Sequence, residues 1–216
     1  MTAVPHIIQM AAGPLETNCY AVICPETGEV AIIDPGAGAE AILSRLPDET
    51  TVRMVLLTHG HFDHVGAVRE VAQATGAPVG IHPDDALLMS QAPAMARLFG
   101  VEMTAPPAPD FQLQDGQKLQ VGRLTLEVLH TPGHSAGGVT FALPGTAIVG
   151  DCLFAGSIGR TDLPGSDYRT LMRSIVDRIL SLPDETRVLP GHGPSTTVGR
   201  ERQTNPFISD YLSDPL

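Results

Sequence analysis

Residues 52–64, Val-Arg-Met-Val-Leu-Leu-Thr-His-Gly-His-Phe-Asp-His, join an apolar run to three histidines and an aspartate. In an extended chain alternate side chains share a face, so His59 and His61 can turn both imidazoles towards one ion. If the backbone turns at Phe62, Asp63 and His64 open a helix and face a second ion beside the first. Asp63 as a helix N-cap among polar loop histidines is the simpler alternative. The density of imidazoles and carboxylate after a buried strand favours a metal site.

Three later stretches repeat the pattern of an apolar strand ending in a metal-ligating side chain. Val128-Leu129-His130-Thr131-Pro132-Gly133 leads to His134, Ala147-Ile148-Val149-Gly150 to Asp151, and Arg187-Val188-Leu189-Pro190-Gly191 to His192. Sites of this kind lie in the crevice beyond the strand ends, and the glycines let the backbone turn sharply. The candidate ligands are therefore His59, His61, Asp63, His64, His134, Asp151 and His192. Seven are too many for one tetrahedral ion and suit two divalent metals sharing a carboxylate. Zinc is the expected metal, and iron or manganese accept the same donors. His6, His82 and His130 are read as hydrogen-bonded structural residues.

The elements that must position these groups follow from pattern. Residues 15–24 and 29–34 read as strands joined at Pro25-Glu26-Thr27-Gly28, with a break at Asp34-Pro35-Gly36. A helix over 39–46 ends at Pro47. The strand at 52–57 has both faces covered. A helix over 64–75 carries Val65, Val68, Val71 and Ala72 at helical spacing and stops at Gly76. A short strand at 79–81 follows. Pro83-Asp84-Asp85 opens a short helix through Met89, and Pro93 opens another through about Phe99. Met89, Met95 and Met103, with Leu88, Leu98 and Phe99, form either a flexible apolar lid over a cleft or ordinary core packing. Residues 105–109 are a stiff proline-rich linker. Strands are expected near 117–121, 124–130, 138–143 and 146–150, a helix over 167–182, a strand at 188–189, and then a short helix and a tail. The pattern predicts an α/β fold of two mixed β-sheets packed face to face with helices outside.

Length and composition set bounds. The 216 residues include 43% hydrophobic types, no tryptophan and a net charge of −11. That is enough chain for a sizeable aliphatic core, and residues 1–216 are read as a single domain. The acidic balance and the absence of a Lys/Arg cluster argue against nucleic acid as a partner. Without a signal-like N-terminus or a membrane-length apolar run, a cytoplasmic location with no membrane partner is expected. Cys19, Cys24 and Cys152 form no disulfide framework. Cys19 and Cys24 fall on opposite faces of one strand.

Thr-His-Gly-His-Phe-Asp-His, then Thr-Pro-Gly-His-Ser, Gly-Asp and Pro-Gly-His-Gly in that order, resembles the metallo-β-lactamase superfamily over nearly the whole chain. The resemblance implies an αββα four-layer sandwich and a binuclear centre. His59, His61 and His134 would hold one metal, Asp63, His64 and His192 the other, and Asp151 would bridge them. The stretches GDCLFAGSIGRTDLPGSDY, LPGHGPSTTVGRE and NPF look like the compact glyoxalase II-like hydrolases. The Gly-Arg-Thr-Asp run is also similar to the persulfide dioxygenase branch. The commonest β-lactamases carry a cysteine ligand where Asp151 stands. Cys152 points away from its neighbour on the strand end, so antibiotic hydrolysis is not expected. Larger glyoxalase II enzymes have a C-terminal helical domain that contributes to glutathione binding. Only 24 residues follow His192, which is too few for it.

The expected activity is hydrolysis of a thioester such as S-lactoylglutathione by a hydroxide shared between the two metals. Asp63 and Asp151 serve as ligands rather than as acid and base, because a thiolate leaves without a proton donor. Arg160, after Asp151, either binds a substrate carboxylate or pairs with a nearby acid such as Asp162. The partner is a small molecule that is glutathione-linked or a smaller relative. The alternatives are a mononuclear Fe(II) persulfide dioxygenase using His59, His134 and Asp151, and a non-catalytic metal-binding domain.

Overall fold

The computed structural model describes residues 4–213. The chain begins with strands β1 (His6–Ala12), β2 (Thr17–Ile23) and β3 (Glu29–Ile33), then helix α1 (Ala39–Leu43) and strand β4 (Thr51–Leu56). Two helices, α2 (Phe62–Val65) and α3 (Val68–Thr75), lead to β5 (Val79–Ile81), the long helix α4 (Ala86–Leu98) and β6 (Phe111–Gln112). The second half opens with β7 (Lys118–Val121), β8 (Leu124–His130), β9 (Val139–Leu143) and β10 (Thr146–Gly150). A small hairpin, β11 (Leu153–Phe154) and β12 (Ser157–Ile158), precedes helix α5 (Tyr168–Ser174). Strands β13 (Arg187–Pro190) and β14 (Thr196–Thr197) are followed by helices α6 (Val198–Thr204) and α7 (Pro206–Ser213).

Strands β1 to β6 form one sheet in sequence order, and the other runs β14-β13-β10-β9-β8-β7. Both are mixed: β3, β4, β5 and β6 are parallel neighbours, as are β10 and β13, while the remaining pairs are antiparallel. Strand alternation sorts the core into three layers. On β2, Tyr20 and Val22 face inward and pack with Leu56 against Phe141, Ile148 and Leu189 of the second sheet. Cys19, Ala21 and Ile23 face outward to Ile42, Val68, Val71 and Met89 of the helices. Ala147, Val149 and Val188 pack against Leu171, Ile175, Ile179 and Ile208 on the opposite side. The result is the αββα sandwich. Cys19 and Cys24 lie on its two faces, and all three cysteines are free and buried.

Several local expectations need correction. The helix expected over 64–75 is two helices. The Ala67 amide donates to the Pro35 carbonyl at 2.9 Å, and a side chain on Gly66 would meet the Gly36 carbonyl at 2.1 Å. This backbone contact seats the second ligand pair against the end of β3. The two helices expected around Pro93 are one. Met89, Ala92 and Ala96 bury along one stripe of α4, so packing outweighs the single backbone hydrogen bond that proline forfeits. The helix expected over 167–182 starts at Tyr168, where the Asp167 carboxylate caps the Thr170 amide at 2.7 Å, and widens into a π-helical turn at Ile175–Ile179. Strand β1 was not anticipated; its seven residues pair in register with β2. The C-terminal segment holds two helices, and the last residues of the expected tail, 214–216, lie outside the described residues. Among the described residues no helix is long and apolar enough to cross a membrane.

Candidate metal centre

The seven predicted ligands meet at one edge of the sandwich, beyond the C-terminal ends of β4, β8, β10 and β13. His59, His61 and His134 bring one ligand atom each within 4.8 Å of the others, and Asp63, His64 and His192 do the same beside them. Asp151 lies between the two sets. Its Oδ1 is 3.3 Å from His64 Nε2, and its Oδ2 is 3.5 Å from His134 Nε2 and 3.6 Å from His192 Nε2. Within the sets, His61 Nδ1 is 2.9 Å from His134 Nε2, and His192 Nε2 is 3.1 Å from Asp63 Oδ2. Ligand bonds of about 2.0–2.1 Å in tetrahedral geometry place neighbouring donor atoms roughly 3.3 Å apart, so these spacings fit. His59 Nε2, His64 Nε2 and Asp151 Oδ1 are buried with no hydrogen-bond partner. Buried polar atoms are rarely left so, and all three point to a ligand. The residues therefore fit a pair of divalent ions.

Hydrogen bonds fix which nitrogen each ring presents. His64 Nδ1 lies 2.9 Å from Asp34 Oδ2, His134 Nδ1 lies 2.9 Å from the Arg160 carbonyl, and His192 Nδ1 lies 3.0 Å from the Leu15 carbonyl. A carboxylate or carbonyl oxygen can only accept, so each Nδ1 donates and Nε2 is left to face the centre. The Thr58 hydroxyl donates to Asp34 Oδ2 at 2.6 Å and so accepts from His59 Nδ1 at 3.0 Å, which frees His59 Nε2 as well. His61 presents Nδ1. Thr17 Oγ1 donates to Asp63 Oδ2 at 3.0 Å.

The sequence reading missed this supporting layer. Asp34, treated only as a strand breaker, is buried and accepts from the Thr58 amide, the Thr58 hydroxyl and His64. Its position at the end of an apolar strand was the signal that could have found it. Asp85 is also buried. It accepts from the Gly60 amide at 2.9 Å and the Gly137 amide at 2.6 Å, tying the first histidine loop to the loop after His134. The Asn18 side chain donates to the Pro190 and Gly193 carbonyls, and the Tyr20 hydroxyl to Pro190, which anchors the His192 loop to the first sheet.

The remaining candidates are placed as follows. Arg160 lines the cleft above the centre, and its guanidinium forks onto Asp162 at 2.9 and 2.8 Å. Cys152 is buried in the outer apolar layer, and burial raises its thiol to about 12. His82 and His130 stack at 4.3 Å with their planes 6° apart, with Asp84 nearby. Two parallel, stacked rings cannot both hold one ion in their planes, so this cluster differs in kind from the main centre. His6 is exposed on β1.

Without metal the centre is divided in charge. Burial, then neighbouring imidazoles, hold His59 well below the ordinary 6.5 and bring His61 down to about 4. Burial also opposes charge on His64, but Asp151, Asp63 and Asp34 outweigh it and hold the ring well above 6.5. His192 is raised too: its hydrogen bond to Asp63 and the charge of Asp151 outweigh burial. Burial likewise opposes charge on Asp63 and Asp151, and His64 foremost holds both below the usual carboxylate range.

The sign of the pH dependence follows. Above 6.5 the unfolded chain releases protons that folded His64 and His192 keep, so stability falls as pH rises. Below 6.5 the unfolded chain takes up protons that folded His59 and His61 refuse, so stability falls as pH drops. Chelator-treated protein is expected to melt at its highest temperature near pH 6.5 and lower at pH 5 and pH 8. A melting temperature that climbs steadily across that range contradicts the charge division.

Comparison with known proteins agrees with this architecture. The family model described as the metallo-beta-lactamase superfamily matches residues 12–192. The chain is 38% identical over 199 residues to the hydroxyacylglutathione hydrolase GloC of Haemophilus influenzae, covering 90% of this chain and 93% of that protein. Among solved structures, TTHA1623 in a di-iron-bound form is 45% identical with a TM-score of 0.86, covering 93% of this chain and 99% of that one. BLEG-1, a B3 metallo-beta-lactamase, is 40% identical with a TM-score of 0.88, covering 94% and 100%. Motif order, fold, converging ligands and family match agree, and the chain belongs to the metallo-beta-lactamase superfamily.

Proposed function

We propose that this chain is a two-metal hydrolase of thioesters, of the glyoxalase II kind. His59, His61 and His134 would hold one divalent ion and Asp63, His64 and His192 the other, with Asp151 in reach of both. The observation that carries the reading is Asp151, within 3.6 Å of ligand atoms from both sets. Divalent ions bound there would supply Lewis acidity, acidifying a water and polarising the substrate carbonyl. The chain's own contribution is orientation. Asp34, Thr58 and the carbonyls of Leu15 and Arg160 hold four imidazoles in the tautomer that presents Nε2. Leu15, Phe62 and Phe154 line the cleft and limit bulk water at the reacting carbonyl. The sulfur leaves as a thiolate, since its conjugate thiol has a pKa of about 8.5, so Asp63 and Asp151 remain ligands throughout. Arg160 stands at the mouth, where an anionic group on the substrate can displace Asp162 from its exposed pair.

The similarity to a hydroxyacylglutathione hydrolase supports a thioester as the substrate, and the seven converging donors support two metals over one. The test uses purified protein of measured metal content. Hydrolysis of S-lactoylglutathione or a smaller thioester, lost with a chelator and restored by metal, is the expected result. Oxygen uptake with a persulfide and no thioester turnover overturns the reading. A β-lactam belongs in the same assay because of the likeness to BLEG-1; turnover of the β-lactam alone also overturns it.

A further inference from the structure

The floor of the cleft is polar, but its walls are not. Leu15, Phe62, Met95, Phe99, Phe154 and Leu163 surround the ligands in a cleft of about 330 Å³. Among the described residues Arg160 is the one cationic side chain besides the histidines on that lining, and it is already paired with Asp162. Past Phe62 and Met95 the wall continues into a hollow of about 420 Å³ along α4, walled by Leu88, Ala92 and Leu98. Among the described residues no carboxylate, lysine or arginine lines that hollow, and its polar side chains are His61 at the cleft end and Gln91. Leu98 is 81% exposed and Phe99 53%, with the Phe99 ring against Phe62 at 5.1 Å. Two large apolar side chains thus stand open to solvent beside a buried polar centre, the arrangement an apolar ligand would cover.

Glutathione carries two carboxylates and an ammonium, and this lining offers one paired guanidinium for them. We infer, on the reading that the cleft hydrolyses thioesters, that the hollow along α4 takes the acyl arm of the substrate and that this arm is an apolar chain of medium length. The carbonyl sits over the ligands, the chain runs past Phe62 and Met95 towards Leu88 and Leu98, and the thiol arm leaves past Arg160. Water supplies the oxygen of the new C–O bond. The C–S bond breaks with its electron pair on sulfur; one proton of the water stays on the carboxylic acid and the other passes to solvent, leaving a free thiolate. Of the residues read as either lid or core packing, Met89 is core and Met95 and Met103 pack against it, while Met95 and Phe99 also line the cleft.

The probe is a series of N-acetylcysteamine thioesters from acetyl to octanoyl, whose thiol arm is uncharged. In the metal-loaded protein kcat/KM is expected to rise about two- to fourfold per methylene, the upper value being that of a fully buried CH₂. Phe99→Ala and Met95→Ala are each expected to lower the octanoyl-to-acetyl ratio of kcat/KM, the pair together by tenfold or more. The S-octyl thioether of N-acetylcysteamine cannot be hydrolysed, and its calorimetric binding, weakened by Phe99→Ala, reads the groove independently of the chemistry. A flat chain-length series, or S-lactoylglutathione turned over faster than the octanoyl substrate, overturns the inference. Thioether binding through Phe99 without hydrolysis of any thioester leaves the groove standing and removes the proposed activity. An unchanged ratio together with a dimer that Phe99→Ala dissociates in sedimentation overturns the inference, because a second copy then occupies the groove.

Discussion

Asp151→Ala is expected to lower kcat on a thioester by roughly three orders of magnitude, the scale on which loss of an electrostatic stabiliser of the transition state is felt. Asp151 lies within 3.6 Å of ligand atoms in both sets, so its removal weakens both at once. It also takes away the carboxylate that offsets three facing imidazoles, His64, His134 and His192. Metal content should fall below two ions per chain in the same preparation. His59→Ala removes a ligand from one set alone, so it should abolish turnover while keeping more metal than Asp151→Ala. Metal analysis beside steady-state kinetics checks both. Full activity in either variant would falsify the ligand assignment.

The second large effect is expected at a residue that would touch neither substrate nor metal. Asp34 accepts three hydrogen bonds in a buried pocket, one of them from His64. Asp34→Asn keeps the shape, but its amide nitrogen faces a donor, so one bond is lost. Changes of this kind behind a ligating histidine cost about 10- to 100-fold in metal affinity or activity. Asp34→Ala removes both acceptor oxygens and strands three donors, each costing about 1–3 kcal/mol. Asp34 also sits at φ 52°, a left-handed conformation that Asn tolerates and Ala does not, adding about 1 kcal/mol. For a chain of this size these costs correspond to a fall of roughly 10–40 °C in Tm. Chelator competition reads the first variant and thermal melting the second. Equal behaviour of Asn and Ala at this position would show that the carboxylate does not orient His64.

The two variants also mark how much was legible in the sequence. Asp151 was readable because a ligand must carry a donor atom and because apolar strands ending in donors recur four times. Asp34 ends a strand in the same way, yet it faces His64 rather than the centre, and nothing in one sequence separates those roles. The two sheets and their flanking helices followed from apolar periodicity. The break between α2 and α3 did not, because it depends on Gly36 and Gly66 meeting across the fold. The continuity of α4 through Pro93 likewise depends on what its buried stripe packs against. Arg160 shows both sides. Its place after Asp151 and its pairing with Asp162 could both be inferred from the sequence, whereas the use of its backbone carbonyl by His134 could not. The apolar cleft walls come from five separate stretches of chain, which only the fold brings together.

Titration of metal-free protein with zinc, iron or manganese, following thioester hydrolysis at each addition, tests the central claim most directly. The account predicts tight uptake of two ions per chain, with turnover appearing as the second site fills. Full uptake at one ion per chain, with persulfide-dependent oxygen consumption and no thioester turnover, would contradict it.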